Sequence, residues 1–108
     1  MSSYLLIESR DPFAWALPNK HYKLASDLAA AGHQVTLFLI ENGVLAARSG
    51  AGPEVFAALG ESGVKVLADD FALAERGITN KDLSSTVAAA KLDVIVDQLA
   101  AGVKTLWH

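Results

Sequence analysis

The stretch GVKVLADDFALAERGI, from Gly63 to Ile78, ends a short apolar run on two adjacent carboxylates, Asp69 and Asp70. Carboxylates so placed suit two chemistries. Together with Glu41, they offer the oxygen ligands that Mg²⁺ takes. Neighbouring side chains on an extended chain face opposite ways, however, so only one of the two aspartates would serve. Alternatively, Asp69 or Glu41 in a partly apolar crevice could exchange protons as a general acid or base. No partner base or oxyanion donor accompanies them in the sequence.

Other reagents are scarce. The chain has no cysteine, which excludes disulfides, thiolate metal sites and cysteine catalysis carried by this chain itself. Its three histidines, His21, His33 and His108, have no ligand spacing between them. His33 follows Gly32 at an expected helix-to-strand turn and reads as structural. His21, near a helix start, reads as a surface residue, with a seat facing the site as the alternative. No serine sits in a GxSxG elbow, and the glycines form neither GxGxxG nor a P-loop. The sequence therefore calls for no catalytic residue, no cofactor and no metal.

The elements that must position these residues alternate along the chain. YLLIES (Tyr4 to Ser9), QVTLFLI (Gln34 to Ile40), VKVLA (Val64 to Ala68) and VKTLWH (Val103 to His108) read as strands. Between the first two, NKHYKLASDLAAAGH carries a helix with Leu24, Leu28 and Ala31 on one stripe, Asn19 as its cap and Gly32 as its stop. ENGVLAARSGAG holds at most a short helical turn, and Pro53 opens a helix through Leu59. Phe71 to Arg76 form a short helix closed by Gly77. TNKDLSSTVAAAKLDVIVDQLAAG is helical in its second half, with the alanine clusters Ala29 to Ala31 and Ala88 to Ala90 assigned to closely packed helix.

Strands apolar on both faces, alternating with helices, predict an α/β protein with a mostly parallel sheet of about five strands. Its crossovers should be right-handed. At 108 residues the chain is one domain, 1–108, long enough to bury a core unaided. A 52% hydrophobic fraction beside 19% charged residues leaves little charged surface and suits an oligomer. The net charge of −3 argues against a nucleic-acid partner. No run approaches the roughly 20 apolar residues that span a bilayer. The opening MSSYLLIESR lacks a basic lead-in and reads as a strand, so a cytoplasmic location is expected.

Open parallel sheets bind ligands beyond the carboxyl ends of their strands. Glu8, Ser9, Arg10 and Asp11 follow the first strand; Glu41, Asn42 and Gly43 the second; Asp69 and Asp70 the third. With Arg76, these supply the candidate site: Asp69, Asp70, Arg10, Asn42, Gly43 and Arg76. The arginines could instead pair with Asp11, Asp70 or Glu75 and bind nothing.

The order of elements, NGV after the second strand, GVKVLA entering the third, ERGI closing the next helix and a short final strand together resemble the DsrE/DsrF-like sulfur-relay family. That family includes the DsrEFH and TusBCD subunits, and the likeness spans nearly the whole chain. It implies a three-layer α/β/α sandwich that assembles into homo-oligomers, or into hetero-oligomers with a related subunit. In active members the loop after the third strand presents a cysteine that carries a persulfide. On this sequence that position is Asp69. A carboxylate is a hard oxygen base that forms no S–S bond and repels an anionic persulfide, whereas relay needs a thiolate.

Three functions follow as expectations. The chain is a noncatalytic DsrE-like subunit or binding module acting through assembly, associated with sulfur relay. Alternatively it binds a small molecule or ion through the strand-end cluster, or it is a carboxylate-based enzyme. For assembly, the candidate exposed aromatics are Phe13, Trp15, Phe71 and Trp107.

Overall fold

Runs of residues that are apolar on both faces cannot leave either face wet, so they stack side by side and recruit helices above and below. The computed structural model describes residues 1–14, 17–50 and 55–108, without the side chains of Leu17 and Val55. Trp15 and Pro53 lie outside the described residues. Five strands form one parallel sheet: β1 (Ser3–Glu8), β2 (Gln34–Leu39), β3 (Lys65–Asp69), β4 (Val87–Ala90) and β5 (Lys104–Trp107). Their spatial order is β4-β3-β2-β1-β5. The chain thus builds outward from β1 through β4 and returns to place β5 on the other side of β1.

The helices are α1 (Leu17–Ala30), α2 (Val55–Glu61), α3 (Asp70–Glu75) and α4 (Asp93–Ala100), with 3₁₀ turns at Glu41–Ala47 and Asn80–Asp82. Strand alternation sorts the core into two layers. Leu6, Leu37, Leu39, Val66 and Ala68 pack against Tyr22, Phe56, Leu59 and Leu73 from α1, α2 and α3. Leu5, Ile7, Phe38, Ile40 and Leu67 turn to the opposite face, where Val94 and Ile95 of α4 meet them. This is the three-layer α/β/α sandwich the sequence predicts, with the sheet wholly parallel.

Two local assignments change. Ala88 to Ala90 are not helical: they form the edge strand β4, with Leu67, Ala68 and Asp69 as their partners. Alanine favours helix only weakly, and the ladder offered by β3 overrides that preference. Helix α1 already includes Leu17, so Asn19 sits inside its first turn and does not cap it. Gly32 does end the helix, in the left-handed region with φ of 91°.

Candidate functional site at the carboxyl edge of the sheet

Parallel pairing brings the strand ends to one rim. Glu8 pairs with Leu39, Leu39 with Ala68, and Ile7 with Trp107. Asp69 is both the last residue of β3 and the cap of α3, and it is only 5% exposed. Its Oδ2 accepts a hydrogen bond from the Ala72 N–H at 3.2 Å. Its Oδ1 is buried with no hydrogen-bond partner among the described residues. Asp70, one residue on, is exposed. The extended backbone at Asp69 therefore separates the two carboxylates, and they form no pair.

Asp69 lines a pocket of about 490 Å³ between β1, β2, α3 and α4, walled by Ile7, Ile40, Phe71, Ile95 and Trp107. Arg76 stands at the same pocket and spends its guanidinium locally. Nε and Nη2 donate to Asn42 Oδ1 at 3.2 and 2.9 Å, and Nη1 donates to the Ala72 carbonyl at 3.1 Å. Glu75 lies 3.8 Å from the same guanidinium. Asn42 thereby ties the turn after β2 to α3. Glu41, also on the pocket wall, holds a φ of 49°, unusual for a side chain with a Cβ.

Gly43 and Arg10 belong to a second centre around Glu8. A Cβ at Gly43 would collide with the Glu8 carbonyl oxygen, so this position needs glycine for close backbone approach. The Arg10 N–H donates to Glu8 Oε2 at 3.0 Å. Glu8, within the run YLLIES, ends β1 and is fully buried. His108 Nδ1 lies 2.8 and 3.0 Å from its two carboxylate oxygens. His21, expected at the surface, is 8% exposed on α1, with Nδ1 at 3.4 Å from Glu8 Oε1. At that distance Nδ1 makes no aligned hydrogen bond. The two imidazoles meet edge to face, 5.4 Å between centroids. Burial works to raise the Glu8 pKa, but His21, His108 and the Arg10 N–H together outweigh it and hold the carboxyl below its ordinary value.

One donor from each of Glu8, His21 and His108 lies within 4.8 Å of the others, the one such group of three metal-ligating side chains found among the described residues. Glu41, Asp69 and Asp70 form no such group. Sequence reasoning missed the Glu8 centre because its members lie on three elements joined only by the fold. The available signal was an acid closing the apolar run YLLIE of a central strand. His33, by contrast, is structural as expected: its Nδ1 accepts from the Ser2 N–H at 3.1 Å, and its ring packs on Tyr4.

A wholly parallel sheet between helical layers, with polar side chains gathered at its carboxyl rim, defines a small α/β/α protein. The chain belongs to the DsrE/DsrF-like family, whose model matches residues 2–107. Among solved structures it is similar to the ychN protein from E. coli, with a TM-score of 0.87 and 21% identity, covering 100% of both chains. It is also similar to MTH1491 from Methanobacterium thermoautotrophicum, a protein of unknown function (TM-score 0.85, 17% identity, 100% of both chains). BT1422 from Bacteroides thetaiotaomicron shares the fold at a TM-score of 0.78 and 15% identity, over 99% of this chain and 95% of that one. No curated protein matches this chain. No described helix is long and apolar enough to cross a membrane.

Proposed function

We propose that this protein is a noncatalytic DsrE-like subunit that works by association with a second copy or a related subunit, in the cytoplasm and within the sulfur-relay setting of its family. Asp69 occupies the seat of the sulfur carrier and caps α3 in its place. The chain brings no thiol of its own, so any persulfide chemistry belongs to a partner.

The observation that carries this reading is the apolar surface around the pocket. Phe71, Val96 and Trp107 are 66%, 63% and 69% exposed, with Leu92 and Leu99 half exposed beside them. The layer beneath explains why. Helix α4, which packs on this face, covers a strip about 10–12 Å across. The sheet it covers has five strands and is about 19 Å wide at a strand spacing of about 4.8 Å. Another copy laid on this face would complete the third layer. Contiguous apolar patches of this kind mark interaction surfaces.

Light scattering on the intact protein tests the proposal. The wild type should run as an oligomer at micromolar concentration, and Val96→Glu should dissociate it with an unchanged circular dichroism spectrum. A strictly monomeric wild type contradicts the proposal.

A second reading has its own support. The pocket volume falls in the range of small-molecule sites, and Asp69 Oδ1 stands buried and unpartnered at its wall. A thermal-shift screen over nucleotides, divalent metals and sulfur compounds should then raise the melting temperature for one class. Asp69→Asn should lose that shift, and no shift with any class in the wild type leaves assembly as the sole role.

A further inference from the structure

Glu8, His21 and His108 converge where the connectivity of the sheet reverses. From β1 the chain passes to β2 on one side, and only after β4 does it return to lay β5 on the other. Open parallel sheets bind ligands outside the carboxyl ends of the strands flanking such a reversal. Glu8 ends β1, and His108 directly follows β5. His21 comes in from α1, which packs across this face of the sheet.

A carboxylate that only needed satisfying is already served. His108 Nδ1 lies within hydrogen-bond distance of both Glu8 oxygens, and the Arg10 N–H donates to Oε2. His21 adds no aligned hydrogen bond to it: its Nδ1 is buried, 3.4 Å from Glu8 Oε1, and has no hydrogen-bond partner among the described residues. An unpartnered buried nitrogen costs free energy, and a cation between the three side chains would remove that cost.

We propose that Glu8, His21 and His108 form a binding site for a divalent transition-metal ion, zinc foremost, held by one carboxylate and two imidazoles. Two nitrogens and one oxygen are a donor set that zinc takes, with a fourth position left for water or another ligand. The spacing suits it. Donors around a tetrahedral zinc with bonds of about 2.0–2.1 Å lie about 3.3 Å apart, and here no two are further apart than 4.8 Å. An octahedral ion would need three further donors, and Mg²⁺ prefers oxygen throughout. A groove of about 330 Å³ lined by Lys20, Leu24, Leu106 and Trp107 runs past both histidines and gives the fourth position access to solvent. The single carboxylate reduces the charge of the buried ion from +2 to +1. On uptake each imidazole presents a lone pair to the metal, and any proton held on that nitrogen is released to solvent or moves to the other ring nitrogen. The ion would pin the edge strand β5 and helix α1 to β1. The site rests on none of the assembly surface's argument and stands whether or not copies associate.

The test uses the full chain freed of metal by a chelator and titrated with Zn²⁺ alone by calorimetry, then with Co²⁺ followed by visible absorption. The expected result is one ion per chain, the intense visible bands of a four-coordinate Co²⁺ centre and a raised melting temperature. His108→Gln and His21→Gln should each weaken binding by roughly tenfold or more, while His33→Gln leaves it unchanged. Should His21→Gln fail to fold, His108→Gln decides, because His108 is a quarter exposed and lies at the edge of the fold. A folded wild type that takes up no Zn²⁺ at micromolar concentration overturns the proposal. So does Zn²⁺ binding that His108→Gln leaves intact.

Discussion

Replacing Asp69 by alanine should destabilise the protein by about 1 kcal/mol, and replacing it by asparagine should cost much less. One hydrogen bond sets the difference. Asp69 Oδ2 accepts from the Ala72 N–H at 3.2 Å, a buried hydrogen bond at the start of α3. Loss of such a cap to alanine typically costs about 0.5–2 kcal/mol. The other oxygen limits the loss, since Oδ1 is buried without a partner among the described residues and removing it relieves a desolvation cost. Asparagine keeps the accepting oxygen, ranks beside aspartate as a cap and carries no charge into the buried site. For a chain of 108 residues, about 1 kcal/mol corresponds to a fall in melting temperature of about 4–6 °C. Thermal and urea denaturation followed by far-ultraviolet circular dichroism would measure both variants. Equal losses in the two, or no loss in the alanine variant, would refute the capping role.

Three further outcomes follow from other parts of the fold. Asp69→Cys should give a folded protein whose thiol, facing the pocket, is alkylated under native conditions; a thiol that reacts only after unfolding removes the correspondence with the sulfur-carrier position. Gly43→Ala should destabilise by about 1–3 kcal/mol, because its methyl group must displace the Glu8 carbonyl; denaturant titration showing less than about 0.5 kcal/mol would contradict that close approach. Burial, then the Glu8 and Asp11 charges, push the Tyr22 phenol well above its ordinary pKa, so its contribution is full below the unfolded-state value of about 10 and is lost as pH rises beyond it. Tyr22→Phe, which also removes a buried hydroxyl with no partner among the described residues, should match or exceed wild-type stability at neutral pH and fall less steeply above pH about 10; parallel pH profiles would rule this out.

Much of the architecture was legible because its cause is local. β1, β2 and β3 are continuous apolar runs, and such runs belong in a parallel sheet covered on both sides. Asp69 was placed at the rim by the same logic, since it ends the third of these runs, and the opposed directions of Asp69 and Asp70 follow from the extended backbone between them. Beyond that reach lay whatever depends on distant partners. Ala88 to Ala90 carry no strand signal of their own; they become β4 because β3 presents an open edge. His21 looked like a surface residue because α1 shows a polar N-terminal stretch, and only the return of the chain through β5 brings His108 against Glu8 beside it. Asn42 and Arg76 hydrogen-bond one another across 34 positions of sequence, a contact that no local pattern announces.

Association through the face carrying α4 and β5 makes hydrogen exchange there depend on protein concentration. Hydrogen exchange of the wild type, compared at high and low micromolar concentration, addresses it directly. Protection in Asp93–Ala100 and Lys104–Trp107 should fall on dilution while β2 and β3 stay protected. Identical exchange in those two segments at every concentration, in a protein of monomeric mass, would contradict the account.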